Sequence, residues 1–207
     1  AKPATGVILM CGLRRRPSEN RSQGETMPSP SESICAYIHG KDRNRPHMLG
    51  HAFAPTATVE VIAKTPTISF PSMVTGLDSI ADVFVRQFAR TYENVYTLCL
   101  CSPPSDDSPA FSCDWLVGMS EKESGAVRVG CGRYDWSFEP DSRLVEKLVI
   151  TIDVMQKLGP GRLRPVMDWV TAMPYPWCPA DVAARSARQI ADLAETMRRL
   201  SASTSAA

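Results

Sequence analysis

Phe111-Ser-Cys-Asp-Trp-Leu-Val-Gly-Met-Ser120, Glu121-Lys-Glu-Ser-Gly125 and Ala126-Val-Arg-Val-Gly-Cys-Gly-Arg-Tyr-Asp-Trp-Ser-Phe138 follow one another without a break. Two long segments rich in β-branched and aromatic residues flank a short, charged, glycine-containing connection, which is the pattern of a β-hairpin. Pro140-Asp141 marks the next turn. Val145 to Met155, with Val149-Ile-Thr-Ile152 at its centre, reads as a last long strand that Gly159-Pro-Gly161 ends. On the other side, the loop Pro103–Pro109 separates the hairpin from a strand over Asn94–Cys101.

Further upstream the period changes. Leu77, Ile80, Phe84 and Phe88 form an apolar stripe at helical spacing. Thr58 to Ala63 reads as a strand. Asn44-Arg45-Pro46 suits a helix start, since Asn caps well and Pro is tolerated in a first turn. Ser31 to His39 is a short helix with Ile34, Tyr37 and Ile38 on one side. Helices first and a run of strands later argue for an α+β fold, with three N-terminal helices on a curved mixed or antiparallel β-sheet. Downstream, Pro165–Pro179 reads as irregular. An extra C-terminal helix follows from Asp181, with Ile190, Leu193, Ala194, Met197 and Leu200 as its stripe. We therefore expect a tail over residues 1–29, a domain over 30–160 and an extension over 161–207.

The 207 residues suffice for one domain with a real core. Hydrophobic residues make up 43% and charged residues 22%, and the formal net charge of +1 leaves no electrostatic footprint for nucleic acid or an anionic membrane. No stretch approaches the roughly 18 apolar residues of a membrane span. Arg14-Arg-Arg16 follows the apolar Gly6–Gly12, the reverse of a signal peptide. The seven cysteines include no CxxC pair, so they read as reduced thiols of a cytoplasmic protein.

Several local words carry a resemblance. They are Ala36-Tyr-Ile-His-Gly-Lys-Asp42, His51-Ala-Phe-Ala-Pro-Thr-Ala-Thr-Val-Glu60, Gly76-Leu-Asp-Ser-Ile80 and Tyr92-Glu-Asn-Val-Tyr96. In this order, over about residues 31–158, the chain resembles the nuclear-transport-factor-2-like superfamily. It is most similar to the SnoaL-like branch with the ketosteroid isomerases, polyketide cyclases and scytalone dehydratase. The resemblance implies a cone-shaped pocket between sheet and helices, a small organic ligand, cofactor-free proton transfer and, often, a homodimer through the sheet face. Val61 falls where scytalone dehydratase has a pocket tyrosine, which speaks against that dehydration.

Arg133 and Asp135 are two apart on one strand, so they share a face with Cys131, opposite Tyr134 and Trp136. If that face is concave, Asp135 is the base or acid, assisted by His39 and Tyr96 as further catalytic residues. Arg133, Asp114, Trp115 and Trp177 then hold the substrate. The plain alternative is a structural Arg–Asp pair on a solvent-facing strand. His47 and His51 are four apart, a spacing open to a metal. No third ligand accompanies them, so no metal is expected. Tyr175-Pro-Trp-Cys178 is either a pocket lid or the anchor of the last helix. Two functions follow: a cofactor-independent isomerase, cyclase or hydratase/dehydratase acting on a small apolar molecule, or a non-catalytic ligand-binding or dimerising module.

Overall fold

In the computed structural model, which describes residues 27–186, 190–196, 198 and 199, one six-stranded sheet is flanked on both faces. Helix α1 (Pro30–Asp42) opens it. Ser29 accepts from the Glu32 N–H while the Glu32 side chain accepts from the Ser29 N–H, a reciprocal capping box, and Pro30 occupies the first turn. The expected second helix is only a 3₁₀ turn (Pro46–His51), because Phe53 already belongs to strand β1 (Phe53–Ala63). After β2 (Met73–Thr75), α2 (Leu77–Ala81) runs through a π-helical segment (Asp82–Gln87) into α3 (Phe88–Thr91). Strands β3 (Tyr92–Cys99), β4 (Ala110–Glu121), β5 (Val127–Phe138) and β6 (Val145–Leu158) follow.

The strand order is β2-β1-β6-β5-β4-β3. Strands β1 and β6 pair in parallel and every other pair is antiparallel, so the sheet is mixed. Register shifts interrupt the pairing at Phe53/Thr58, Glu93/Tyr96, Cys131/Gly132 and Ser137/Phe138. Such bulges bend strands and raise their twist. The bent sheet turns its concave face to α1, α2 and the π-helical segment. Tyr37, Phe53, Trp115, Tyr134, Trp136 and Leu148 are buried there in one cluster.

The convex face carries the principal departure from expectation. Leu163–Thr171, which overlaps the stretch Pro165–Pro179 expected to be irregular, is a helix, α4. Pro165 sits in its first turn, where a missing N–H costs little. Val166, Trp169 and Val170 of α4 form a second core with Leu98, Leu100, Leu116, Val127, Val129 and Cys131 of the sheet. Gly118 makes this approach possible, since a Cβ there would lie 2.9 Å from Val170 Cγ1. After α5 (Ala180–Ser186), Ile190 and Leu193 join the same core. Met197 and Leu200, expected on the last stripe, lie outside the described residues. The C-terminal segment thus covers part of the convex face, over β3, β4 and β5. Elsewhere that face carries the ion pairs Glu60–Lys147 and Arg133–Asp135, so the face expected to pair two subunits is neither wholly free nor broadly apolar. Among the described residues no helix is long and apolar enough to cross a membrane.

Two predictions follow from the sheet. A Cβ at Gly132 would sit 1.9 Å from the Thr151 carbonyl oxygen and 2.9 Å from Trp115 Cζ2, so Gly132→Ala should cost at least ~2 kcal/mol, seen as a lower denaturant midpoint. Hydrogen bonds from Ser124, Lys157 and Arg128 hold the Glu121 carboxyl at about 2, below its ordinary 4.5. A carboxyl depressed on folding stabilises above its unfolded pKa, and that contribution is lost as pH falls from 4.5 towards 2. Thermal melts of Glu121→Gln should therefore lose part of the wild-type acid dependence in this window.

Candidate functional site

The site begins at the end of α1. Ile34, Tyr37 and Ile38 lie on the buried stripe of the helix, and continuing that spacing reaches Lys41. Lysine is almost never this buried without a partner. Here Lys41 is 7% exposed, and its Nζ donates to Asp42 Oδ1 at 2.5 Å and to Thr97 Oγ1 at 2.8 Å. Asp42 is still more engaged. Its carboxylate also accepts from the Thr97 N–H at 2.7 Å, the Thr97 hydroxyl at 2.9 Å and the Tyr175 hydroxyl at 3.0 Å. The side-chain hydrogen bonds of the pair all stay within this cluster. They leave one ammonium N–H of Lys41 for the interior, where Nζ lies 5.2 Å from the centroid of the Phe88 ring.

That interior is a cavity between the concave sheet and the helices. The space open to the centre of a water-sized sphere is about 50 Å³. One water needs roughly 10–15 Å³ by this measure, so there is room for a few waters or one small ring. Val61, Val117, Ile150, Ile152 and Met155 supply the floor. Phe84 and Phe88 supply a wall, and the π-helical segment, a rare form frequent at functional sites, carries the first of them. Residues 64–72 fold over the mouth. They lay Ile68 inside and stack Phe70 on Phe84 at 5.5 Å and on Phe88 at 6.3 Å. This loop is tied down where the Thr67 hydroxyl donates to the Met155 carbonyl at 2.6 Å and Arg128 Nη1 donates to the Thr67 carbonyl at 2.5 Å.

The polar end of the cavity holds Lys41, Thr97, Tyr37, Tyr134 and Trp115. Burial, and then the charge of Asp42, pushes the Tyr37 phenol well above its usual range, and burial does the same for Tyr134. Both are therefore neutral hydroxyls near pH 7. Trp115 stacks on Tyr134 at 5.6 Å, and its buried indole N–H makes no hydrogen bond. Among the described residues that line the cavity, Lys41 is the one charged side chain.

Of the residues singled out in the sequence, Trp115 and Val61 line the cavity. The others lie elsewhere. Arg133 and Asp135 do share a face, but it is the convex one, because Tyr134 and Trp136 take the inward positions. Arg133 Nε pairs with Asp135 Oδ1 at 2.9 Å, and the two side chains are 49% and 41% exposed. Ser112 donates to Asp135, and Asp114 lies opposite Arg133 on the same outer face. The concave base expected of Asp135 is therefore not there. Tyr96 also points outward, since the irregularity between Glu93 and Tyr96, with Asn94 at φ +52°, turns Thr97 inward instead. His39 is half-buried on α1 and stacks on Tyr175 at 5.2 Å. Burial, then Arg43, lowers its pKa, so it is mostly neutral near pH 7. Trp177 bridges the edge of β3 at Cys99 and packs on Phe111 at 6.2 Å. The Tyr175–Cys178 segment therefore anchors rather than lids. His47 and His51 are exposed, and no group of three metal-type ligands occurs among the described residues.

If Lys41 and Asp42 hold the site together, their removal has a defined signature. Lys41→Met leaves a buried carboxylate with one cation fewer and should cost ~3 kcal/mol in a urea titration. The double variant Lys41→Met/Asp42→Asn should recover part of that loss.

No protein-family model matches the chain, and a search of curated proteins finds no match. Solved structures do align with it. An NTF2-like protein from Burkholderia thailandensis is 12% identical over 61% of this chain and 92% of its own, with a TM-score of 0.48. An NTF2-like superfamily protein from Salmonella enterica is 16% identical over 60% and 88%, at 0.47. The Mycobacterium tuberculosis protein RV0760c, in complex with estradiol-17beta-hemisuccinate, is 15% identical over 62% and 99%, at 0.49. At these identities and scores the likeness concerns the arrangement of the elements and carries no chemistry across. In that arrangement the chain is similar to the NTF2-like proteins, the superfamily that its sequence words resemble.

Proposed function

We propose that the protein binds a small, neutral, largely apolar molecule bearing one acceptor oxygen, such as a ketone or aldehyde, in the concave cavity. The observation that carries this reading is Lys41, a buried ammonium already balanced by Asp42 in an otherwise apolar enclosure. A neutral carbonyl can accept its remaining N–H, a charge-assisted bond worth roughly 1.5–3 kcal/mol. A carboxylate would bring an unbalanced charge into the same space, and burying a charge costs several kcal/mol after relaxation. The volume restricts the ligand to about one small ring while residues 64–72 keep their place.

Binding without turnover fits this geometry better than proton transfer. Asp42 has no oxygen to spare for a substrate proton, and the tyrosines are held neutral. Asp135, Asp114 and His39 do not line the cavity. A catalytic reading as a cofactor-independent isomerase, cyclase or hydratase/dehydratase would keep Lys41 as the group that polarises the carbonyl. It would need a base from solvent or from the ligand itself.

Calorimetric titration separates these readings. Cyclohexanone should bind saturably, and cyclohexanecarboxylate and methylcyclohexane at least ~10-fold more weakly, since losing one good polar contact costs about 1.4 kcal/mol or more. Lys41→Met should remove the preference for the ketone, and Asp135→Asn should leave it unchanged. Preferred binding of the carboxylate, or no binding of any of the three, would overturn the proposal. Hydrogen–deuterium exchange beside the carbonyl, followed by NMR, should stay at the buffer rate. Exchange that is accelerated by the wild type and lost in Lys41→Met would make the protein an enzyme.

A further inference from the structure

Among the described residues that line the cavity, Ile68 and Phe70 alone come from outside the strands and helices. They sit on the loop 64–72 between β1 and β2, where Pro66, Thr67, Ser69 and Pro71 are exposed. The loop is fastened at its ends. The Lys64 N–H donates to the Ile152 carbonyl and the Val61 N–H to the Ser72 carbonyl, both at 2.9 Å. Between those ends, every described hydrogen bond to the rest of the chain is made by Thr67, whose hydroxyl donates to Met155 and whose carbonyl accepts from Arg128. Arg128 is itself held in place, with Nε and Nη2 at 2.8 and 2.6 Å from Glu121 Oε1. The latch therefore lies one residue before Ile68 and three before Phe70. Pro71 adds a covalent restraint, since the residue before a proline is kept out of the helical region, which favours an extended Phe70 backbone.

We propose that Phe70 is the specificity-determining residue of the cavity: its ring occupies the place of a ligand's second ring and so limits the protein to one-ring carbonyl compounds. This rests on Lys41 taking the ligand's oxygen, as proposed above. Phe70 lies nearly parallel to Phe84 and Phe88, with interplanar angles of 18° and 20° and ring centroids 5.5 and 6.3 Å apart. Offset stacking at such distances is the arrangement that an aromatic ring of a ligand would itself adopt. Phe70 is half-buried and lines the cavity, so its ring stands between the enclosed space and solvent. Taking that ring away leaves room for one six-membered ring, bordered by Phe84 and joined to the cavity. The polar end is untouched by the exchange, because Lys41 and Thr97 are held by Asp42 and not by the loop. The discrimination is steric. Each further buried CH2 would otherwise tighten binding about fourfold, so a larger apolar ketone is preferred unless a side chain stands in its way.

Calorimetric titration of the full-length protein with cyclohexanone and with 1- and 2-tetralone, in which a cyclohexanone ring is fused to a benzene ring, supplies the test. Wild type should bind both tetralones at least ~10-fold more weakly than cyclohexanone, the cost of overfilling a packed space. Phe70→Ala should reverse the order for at least one of them. Phe70→Val, which keeps an apolar plug without a ring, should do the same if the alanine variant does not fold. Adding Lys41→Met to the Phe70 variant should weaken the tetralone again. In the Phe70 variant, intermolecular NOEs should join the benzo protons of the bound tetralone to the Phe84 ring. Tetralones that bind wild type as tightly as cyclohexanone, a Phe70 variant that gains nothing for them, or a gain without NOEs to Phe84 would each overturn this proposal and leave the reading of Lys41 standing. Wild type that binds no ketone at all would overturn both.

Discussion

The structure is organised around one buried carboxylate. Asp42 ends α1, and its two oxygens accept from the neighbouring Lys41, from the backbone and hydroxyl of Thr97 on β3, and from Tyr175 of the C-terminal segment. Those bonds join three parts of the chain that are far apart in sequence. They tie the end of α1 to β3 and to the C-terminal segment beside the cavity. They also make a buried lysine tolerable, because the ammonium is charge-balanced and hydrogen-bonded rather than merely desolvated. A cavity with an ammonium at one end and aromatic and aliphatic walls elsewhere is the direct result.

The C-terminal segment is the second organising element. Its α4 packs on the convex face through Gly118 and the small and branched residues around it. Residues 175–178 dock on the outer edge of β3, with the Cys99 N–H donating to the Pro176 carbonyl at 2.7 Å and the Cys178 N–H donating to the Cys99 carbonyl at 2.9 Å. An exposed sheet edge is a template for unwanted pairing, and this segment closes it. The same segment delivers the Tyr175 hydroxyl to Asp42, so the convex side of the protein takes part in holding the concave site. Part of the convex face is thereby covered by the chain's own tail, while the concave face carries the cavity.

Much of the fold was legible in the sequence, and the misreadings have physical causes. The strands of the hairpin and β6 showed in their β-branched runs, and the stripe Leu77–Phe88 showed the third helical region. Helix α4 was hidden by Pro165, which reads as a breaker unless its place in the first turn is known. Lys41 was visible in principle, as the continuation of the Ile34–Tyr37–Ile38 stripe, but a helix ended at His39 leaves it out. Arg133 and Asp135 were rightly placed on one face. The choice of face turned on Tyr134 and Trp136, whose burial outweighs any gain from turning a charged pair inward. Tyr96 and Thr97 exchanged roles through an irregularity at Asn94 that residue types do not announce. Pocket chemistry is harder to read than fold for this reason: a one-residue shift leaves the strand intact and reverses every side chain on it.

A crystal structure of the protein soaked with cyclohexanone tests the central claim most directly. The account predicts the ring between Phe88 and the floor residues Val61 and Ile152, with its oxygen within hydrogen-bond distance of Lys41 Nζ and the Lys41–Asp42–Thr97 bonds intact. A cavity that holds only water, or a ring whose oxygen points away from Lys41, would contradict it.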